Sequence, residues 1–377
     1  MTLYEVARPG DEEEILDFAN LVFSQAHRPH DFRVLLPKMY ARREFADYHV
    51  VARQNGRICA LVGVWPMPFR VMEGLTLQLG YVGTVSVHPY HRGEGHMQKL
   101  MPMAVERSRE AGIDLMSLGG QRQRYRYFGF EQGGLKVDFA VTAANLRHDM
   151  AKADTAGIAF SPLSHKGGTL EQARALYARE CLTGVRPGAM FEEAFTSWEG
   201  KALAVTRDGT FVGYLYMVGT SIGEWSLTDN ALVGTVLKAY MQQHGVDGLR
   251  ISVPAHSADR IRALDAFAED SSLNHAGMHR VLNWPNVISQ LMTFKKELVG
   301  LKEGTADLVI EDEGAFRITV DGDGVQVHKV EPARTPSITR TQAVGLLFSL
   351  TSRLGRREDA WHDWFPLPLS VPLADCF

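Results

Sequence analysis

Residues 80–97 read Gly-Tyr-Val-Gly-Thr-Val-Ser-Val-His-Pro-Tyr-His-Arg-Gly-Glu-Gly-His-Met, and the rest of the chain is organised around them. Apolar residues alternate from Tyr81 to Val87, which predicts a strand, and Pro89 ends it. A helical pattern begins at about Gly95. The loop in between is rich in glycine, so its main chain can approach an anion closely. The free amides and the dipole of a helix start attract phosphate, and the stretch therefore predicts a pyrophosphate-binding loop.

The segments on either side predict a mixed α/β domain that ends near residue 145. Asn55-Gly56 supplies the positive φ angles of a tight turn, so it joins two antiparallel strands. The helix after the loop runs to about Ala111 and contains Pro102, where we expect a kink or a break. The remaining predicted elements are a strand at Leu3–Ala7, a helix from Asp11, a strand at Ile113–Leu118, a short helix at Gln121–Tyr127 and a strand at Leu135–Val141.

The rest of the chain predicts two further domains. Residues 146–280 repeat the order of the first elements, including a hairpin at Asp208-Gly209, but lack a phosphate loop. Residues 281–377 predict two hairpins, a helix from about Arg340 to Leu354 and a tail rich in proline and aromatic residues. The predicted boundaries are therefore 1–145, 146–280 and 281–377. Proline lowers the entropy cost of ordering the tail, which favours a docked over a frayed chain end.

Composition excludes several classes of partner. A net charge of −4, from 40 basic and 44 acidic residues, gives no basic surface for nucleic acid. No apolar run reaches the roughly 18 residues of a membrane span, and the first residues lack the layout of a signal peptide. The three cysteines are far apart and the histidines form no zinc motif, so we expect neither disulfides nor a metal. We therefore expect a cytoplasmic protein that binds small molecules.

Two motifs resemble those of the GNAT N-acetyltransferases. The stretch 85–97 resembles their acetyl-CoA motif, [QR]-x-x-G-x-[GA], with Arg92 and Gly95 in place and Met97 in the position of its last small residue. Residues 125–130, Tyr-Arg-Tyr-Phe-Gly-Phe, resemble the Tyr-x-x-x-Gly-Phe element of these enzymes. The whole chain resembles the multidomain Eis-like (enhanced intracellular survival) subgroup. This resemblance implies an α/β (α+β) fold of two GNAT-like mixed-sheet units in tandem, followed by a sterol-carrier-like α+β domain.

The resemblance also implies a site for acetyl-CoA as cosubstrate. The pantetheine would pair with the strand, the pyrophosphate would bind the loop, and an amide near Val85 or Val87 would stabilise the oxyanion. The residues implied to bind acetyl-CoA are Val85, Ser86, Val87, Arg92, Gly93, Glu94, Gly95, His96, Met97, Gln98, Gly120 and Gln121.

Two catalytic groups are carried over from the family. Tyr125 takes the position of the general acid, and the terminal carboxylate of Phe377 takes that of the general base. A phenol of pKa about 10 donates uphill to a thiolate of about 8.5, so Tyr125 acts by hydrogen bonding or by proton transfer. Neighbouring arginines that point inward would lower the pKa of this phenol. They are Arg122, Arg124 and Arg126.

Two functions remain open from the sequence. The first is an N-acetyltransferase that acts on a primary amine of a polyamine, an aminoglycoside-like compound or a lysine side chain. The second is a non-catalytic protein that binds acyl-CoA, a lipid or another ligand, which the bulky Met97 and the carrier-like C-terminal region favour. The resemblance further implies self-association, with a hexamer as one possible assembly.

Overall fold

A computed structural model describes residues 1–26, 28–42, 44–331, 336–350 and 361–377. The chain forms two compact units. Unit 1 consists of Met1–Gly134, His275–Leu369 and Cys376–Phe377. Unit 2 consists of Leu135–Asn274 and Ser370–Asp375. The three predicted domain boundaries stay a prediction.

Unit 1 contains a mixed sheet whose strands follow the order β1-β2-β3-β4-β5-β13, and the last strand, β13 (Asp270–Val281), pairs with β5 through Met278–Val281. Neighbours are antiparallel except for the parallel pair β4 and β5. The first elements are β1 (Thr2–Val6), α1 (Glu12–Ala26), α2 (Phe32–Leu35), α3 (Pro37–Tyr40), β2 (His49–Gln54), β3 (Arg57–Met72), β4 (Leu75–Val87), α4 (His96–Glu110), β5 (Leu115–Leu118), α5 (Arg122–Tyr125) and β6 (Glu131–Thr142). This sheet confirms the predicted mixed α/β fold.

Local sequence explains the turns and the central helix of this sheet. Asn55 and Gly56 both have positive φ, 51° and 78°, as the predicted hairpin turn requires. Helix α4 packs on β2 and β3, and its apolar stripe is buried. It continues through Pro102 as one helix, so the break that we expected there does not occur.

Unit 2 repeats this pairing scheme. Besides the part of β6 from Leu135 onward, its elements are α6 (Ala143–Arg147), β7 (Ile158–Pro162), α7 (Thr169–Tyr177), β8 (Thr183–Gly184), α8 (Met190–Thr196), β9 (Lys201–Arg207), β10 (Thr210–Val218), β11 (Ser221–Leu227), α9 (Val233–His244), β12 (Gly248–Pro254) and α10 (Ala258–Asp265). The strand order is β7-β9-β10-β11-β12-β6, with β11 and β12 as the parallel pair. Counted from β7, the order of antiparallel and parallel strand pairs is the same as in unit 1 counted from β1. This agreement confirms the predicted second copy.

A buried ion cluster holds the tail segment of unit 2. The guanidinium of Arg186 donates to Asp375 at 2.6 Å and to Glu224 at 2.6 Å. The Asp375 carboxylate also accepts from the amide of Gly184 and the hydroxyl of Tyr177. Residues 373–375 are thus docked through a fully hydrogen-bonded carboxylate.

The C-terminal elements of unit 1 are one helix, a small sheet and two further helices. They are α11 (Trp284–Val299), β14 (Gly304–Ile310), β15 (Gly314–Asp321), β16 (Gly324–Val330), α12 (Arg340–Phe348) and α13 (Trp361–Trp364). Strands β14, β15 and β16 form the two predicted hairpins. Thr339 and Gln342 form a capping box at α12. That helix ends before the predicted Leu354, which lies outside the described residues. The likeness to a sterol-carrier domain stays a prediction.

Candidate active site

Strands β4 and β5 separate beyond their shared pairing, and this opens the sheet of unit 1. They pair in parallel from Leu79↔Leu115 to Tyr81↔Ser117. Strand β4 then continues to Val87, where it still pairs with Ala60 of β3. Among the described strand pairs, the part of β4 after Tyr81 pairs with β3 on one side and has no partner strand on the β5 side. The main-chain groups on that open side are therefore not used by another strand.

A β-bulge changes the direction of β4 at the point where β4 and β5 separate. The register of β4 against β3 shifts between Leu61↔Ser86 and Gly63↔Gly83, which places one extra residue in β4. Thr84 in this segment has a positive φ of 47°, and the hydroxyl of Ser86 donates to its carbonyl oxygen. Bulges of this kind change the direction of side chains and end regular pairing, which suits a strand that must bind a ligand.

The loop after β4 leads into an uncapped helix start. Gly93 and Gly95 have positive φ, 84° and 78°, and Gly95 is the N-cap of α4 without a side-chain hydrogen bond. No acidic residue lies in the first turn of this helix. The first amides of a helix lack partners within it, and its dipole favours an anion. The geometry fits the predicted pyrophosphate loop.

One cavity of about 870 Å³ in unit 1 brings most of the predicted cofactor residues together. Its lining includes Val85, Ser86, Val87, Arg92, Met97, Gln98, Gln121 and Tyr125. Helix α1 contributes Val22, Phe23 and Ala26 to the opposite part of the lining, and the sequence analysis missed these. The feature of the sequence that could have indicated these residues is the apolar face of α1, and such a face is equally typical of a helix that packs on a core.

Tyr125 ends helix α5 with its ring packed on Gly120. A Cβ at Gly120 would lie 2.6 Å from Cε2 of Tyr125, so Gly120 supports the ring by leaving room for it. Burial raises the pKa of Tyr125, and nearby Arg124 lowers it by less. The expected lowering by an inward-pointing arginine thus occurs for Arg124, but burial outweighs it. Arg122 and Arg126 instead pair with the carboxylate of Glu131, at 2.5 and 3.2 Å.

The chain end is docked on β4. The Phe377 side chain is buried, and its ring lies so close to Gly83 that a Cβ there would be 2.5 Å from Cδ1 of the ring. The amine of Lys38 donates to the carbonyl oxygen of Cys376. Burial raises the pKa of Tyr81 well above its ordinary value, and its hydroxyl is hydrogen bonded to the Cys376 side chain. The chain end thus lies against Gly83, which is two residues before Val85 on strand β4.

A buried polar network lies beside the ring of Phe377. The hydroxyl of Tyr40 is 3.1 Å from both Nε2 of His49 and Oγ1 of Thr84, and its ring centroid is 5.9 Å from that of Phe377. Nδ1 of His49 is 3.0 Å from the carbonyl oxygen of Phe45. Burial lowers the pKa of His49 to about 4, so the imidazole is neutral at pH 7. This network ties the bulge of β4 to the helix that faces the chain end.

Glu94 and His96, two further predicted cofactor residues, direct their side chains elsewhere. The Glu94 carboxylate accepts from Gln54, and His96 is almost completely buried with Nδ1 at 3.0 Å from the Tyr4 hydroxyl. Their contribution to a ligand in the loop is therefore limited to the main chain. Both side chains meet His91 instead, in a cluster that the sequence analysis missed because its spacing matches no common zinc motif.

Comparison with known families identifies the first part of the chain. The family described as "Acetyltransferase (GNAT) domain" matches residues 4–133. These residues form a GNAT acetyltransferase domain. The split strands, the loop and Tyr125 all lie within it, and the chain therefore contains a transferase domain, as predicted.

Solved structures share the fold of the GNAT domain together with the rest of the chain. A GCN5-related N-acetyltransferase from Anabaena variabilis is 15% identical, with a TM-score of 0.72 over 100% of both chains. A probable N-acyltransferase from Enterococcus faecalis gives the same values. Eis1 from Mycobacterium abscessus is 14% identical, with a TM-score of 0.68 over 100% of both chains. At these identities the likeness concerns the fold, and it confirms the predicted Eis-like architecture at that level.

No curated protein sequence matched the chain. Among the described residues, no helix has both the length and the apolar character needed to cross a membrane.

Proposed function

We propose that the protein transfers the acetyl group of acetyl-CoA to a primary amine of a small molecule. The observation that carries the proposal is one cavity that joins three parts: the free edge of β4, the uncapped start of α4 and the hydroxyl-bearing ring of Tyr125. An acyl transfer from a thioester needs a held cosubstrate, an oxyanion site and a proton donor near the leaving sulfur.

The cavity offers groups that suit acetyl-CoA, which supplies the activated acetyl group. Main-chain groups of Val85 and Val87 are available for the pantetheine amides. Nothing lies within 4 Å of a Cβ placed at Gly93, so the loop leaves room for phosphate oxygens. Arg92 and Gln98 line the same cavity and can bind the pyrophosphate by charge and by hydrogen bonding.

Tyr125 acts, in this proposal, as the hydrogen-bond donor to the departing sulfur. Because burial raises its pKa, the phenol is protonated throughout the neutral range. The same shift increases the uphill difference from a thiol of pKa about 8.5. Donation of a hydrogen bond to the developing thiolate is therefore favoured over complete proton transfer.

The terminal carboxylate of Phe377 is proposed to receive the proton of the amine. An α-carboxyl group has an ordinary pKa of about 3.5, so it is ionised at pH 7 and attracts an ammonium group. The buried ring of Phe377 beside Gly83 and the hydrogen bond from Lys38 to the preceding carbonyl support a docked position for the chain end. A fixed, ionised group beside a nucleophile is what general-base catalysis requires.

The acetyltransferase proposal is tested by following thiol release from acetyl-CoA over a panel of polyamines, aminoglycosides and lysine peptides. Tyr125→Phe should lower kcat by more than about tenfold. Tyr90→Phe is the matched control, because Tyr90 is 90% exposed. Background rates with every amine, together with tight CoA binding, would instead favour the non-catalytic acyl-CoA-binding alternative, for which Met97 in the cavity lining is the motivating feature.

The class of amine, a cytoplasmic location and self-association stay predictions. Sedimentation of the full-length chain tests the last of these, and a monomer at micromolar concentration would contradict it.

A further inference from the structure

Four side chains with metal-binding atoms meet behind the phosphate loop of unit 1. Cys59 lies on β3, His91 ends a short 3-10 helix, Glu94 lies in the loop and His96 begins α4. The ligand atoms of His91, Glu94 and His96 all lie within 4.8 Å of one another. Sγ of Cys59 lies outside this set of three, 3.7 Å from Nε2 of His96, and donates a hydrogen bond to the carbonyl oxygen of Ala52 at 3.3 Å.

Three distances between these groups are close to the edge lengths of a coordination tetrahedron. Nδ1 of His91 is 3.0 Å from Oε1 of Glu94, and Nε2 of His96 is 3.3 Å from Oε2 of Glu94. Zinc bonds of about 2.0 Å to nitrogen or oxygen and about 2.3 Å to sulfur imply edges of roughly 3.3 Å and 3.5 Å. His91, Glu94 and His96 therefore need only small shifts to surround an ion, and Cys59 joins them when its thiol turns away from the carbonyl oxygen of Ala52.

The hydrogen bond that holds the His96 ring is also typical of a metal-binding histidine. Its Nδ1 is hydrogen bonded to the hydroxyl of Tyr4 at 3.0 Å, which leaves Nε2 directed at Glu94 and Cys59. Metal-binding histidines usually have such a partner on the second ring nitrogen, because it fixes the tautomer and the ring orientation. Glu94 is likewise held by Nε2 of Gln54 at 2.6 Å. The two outer contacts orient the ligands before any ion binds.

We propose that Cys59, His91, Glu94 and His96 bind one zinc ion. A thiolate, two imidazoles and one carboxylate are the ligand types that zinc accepts in four-coordinate sites. Four protein ligands leave no open position, so the ion has a structural role. Binding replaces the proton of the Cys59 thiol by the metal and releases that proton to solvent. The thiolate and the carboxylate together balance the two charges of the ion.

The location suggests what the ion does for the loop. His91, Glu94 and His96 bracket Gly93 and Gly95, whose backbone forms the phosphate cradle. A bound ion would fix this segment and neutralise the Glu94 carboxylate, which otherwise stands next to the site of an anion. The zinc site itself does not depend on the proposed acetyl transfer, and its test below measures metal alone.

The test uses the purified full-length chain and zinc. After incubation with zinc chloride and gel filtration, we expect about one zinc per chain by mass spectrometry of the metal. His91→Ala should weaken zinc binding by at least about tenfold, since it removes one ligand. His91 is half exposed, so this variant should fold. His165→Ala is the matched control, because His165 also contacts a glutamate, Glu171 at 2.6 Å, and should leave zinc binding unchanged.

Cobalt gives a second readout that identifies the sulfur ligand. Cobalt added to the metal-free chain should produce a sulfur-to-metal charge-transfer band, and Cys59→Ser should abolish it while circular dichroism stays the same. Zinc below about 0.1 per chain, or equal affinity in the wild type and His91→Ala, would overturn the proposal. The cluster would then be a hydrogen-bonded network only.

Discussion

Gly83→Ala tests whether the docked chain end takes part in the reaction. The added Cβ would lie 2.5, 2.8 and 2.8 Å from Cδ1, Cε1 and Cγ of the Phe377 ring, whereas ordinary contact begins at 3.4 Å. The ring must therefore move by about 1 Å, and a displacement of this size in a catalytic group costs about 100-fold in rate. This corresponds to about 2.7 kcal/mol in activation free energy.

The assay for Gly83→Ala is kcat for thiol release at saturating acetyl-CoA and amine. Gly345→Ala is the matched control, because nothing lies within 4 Å of a Cβ placed there. The double variant Gly83→Ala/Phe377→Ala keeps a terminal carboxylate and removes the clashing ring, so it should recover part of the lost rate. If Gly83→Ala has the wild-type kcat while its fold is intact, the terminal carboxylate is not the base.

Three further predictions concern the tail, a buried charge and acid stability. Lys38→Ala removes the donor to the Cys376 carbonyl, and we expect kcat to fall by about tenfold because the tail is less well positioned; an unchanged kcat in the folded variant would show that this hydrogen bond does not position the tail. Arg186→Ala leaves two carboxylates buried without their cation, so it should lower the free energy of unfolding by about 3–5 kcal/mol, while Arg262→Ala in an exposed pair should cost less than about 1 kcal/mol, both by urea denaturation. Equal losses in the two variants would contradict this reasoning. Three histidines, two of them buried and one partly buried, have pKa values lowered by removal from water to about 4, against about 6.5 when unfolded, so unfolding takes up protons between these values and stability falls as the pH drops from 6.5 towards 4. The expected slope reaches about 4 kcal/mol per pH unit, and a flat profile from urea denaturation at pH 4.5, 5.5 and 6.5 would refute it. These residues are His49, His256 and His279.

The site could be predicted where its determinants are adjacent in sequence. The strand up to Val87, the loop with Gly93 and Gly95, and the start of α4 are consecutive, and the positive φ of the glycines is a local property of the backbone. Hairpin turns such as Asn55-Gly56 are local in the same sense, and the structure confirms them. Tyr125 was found through a second local motif, and it lines the same cavity.

Adjacency in sequence could not tell which of the arginines around Tyr125 point towards its ring. Side chains on successive residues of a helix point in different directions, so neighbours in the chain need not be neighbours in space. Arg122 and Arg126 turn to Glu131, a buried carboxylate that no local pattern connects to them. Burial then dominates the environment of the Tyr125 phenol, and burial depends on the packing of the whole unit.

The amino-acid sequence by itself determined the local elements of this protein: the alternating strand at Tyr81–Val87, the glycine loop, the hairpin turns and the two motifs of the GNAT domain. The tertiary structure alone decided which distant groups complete the site. Lys38 donates to Cys376 across 338 positions of the chain, and Cys59 of strand β3 lies beside His96 of helix α4. Local patterns record backbone preference and the direction of an apolar face. They do not determine which other element that apolar face packs against, because hydrophobic burial is non-directional and many partners satisfy it equally.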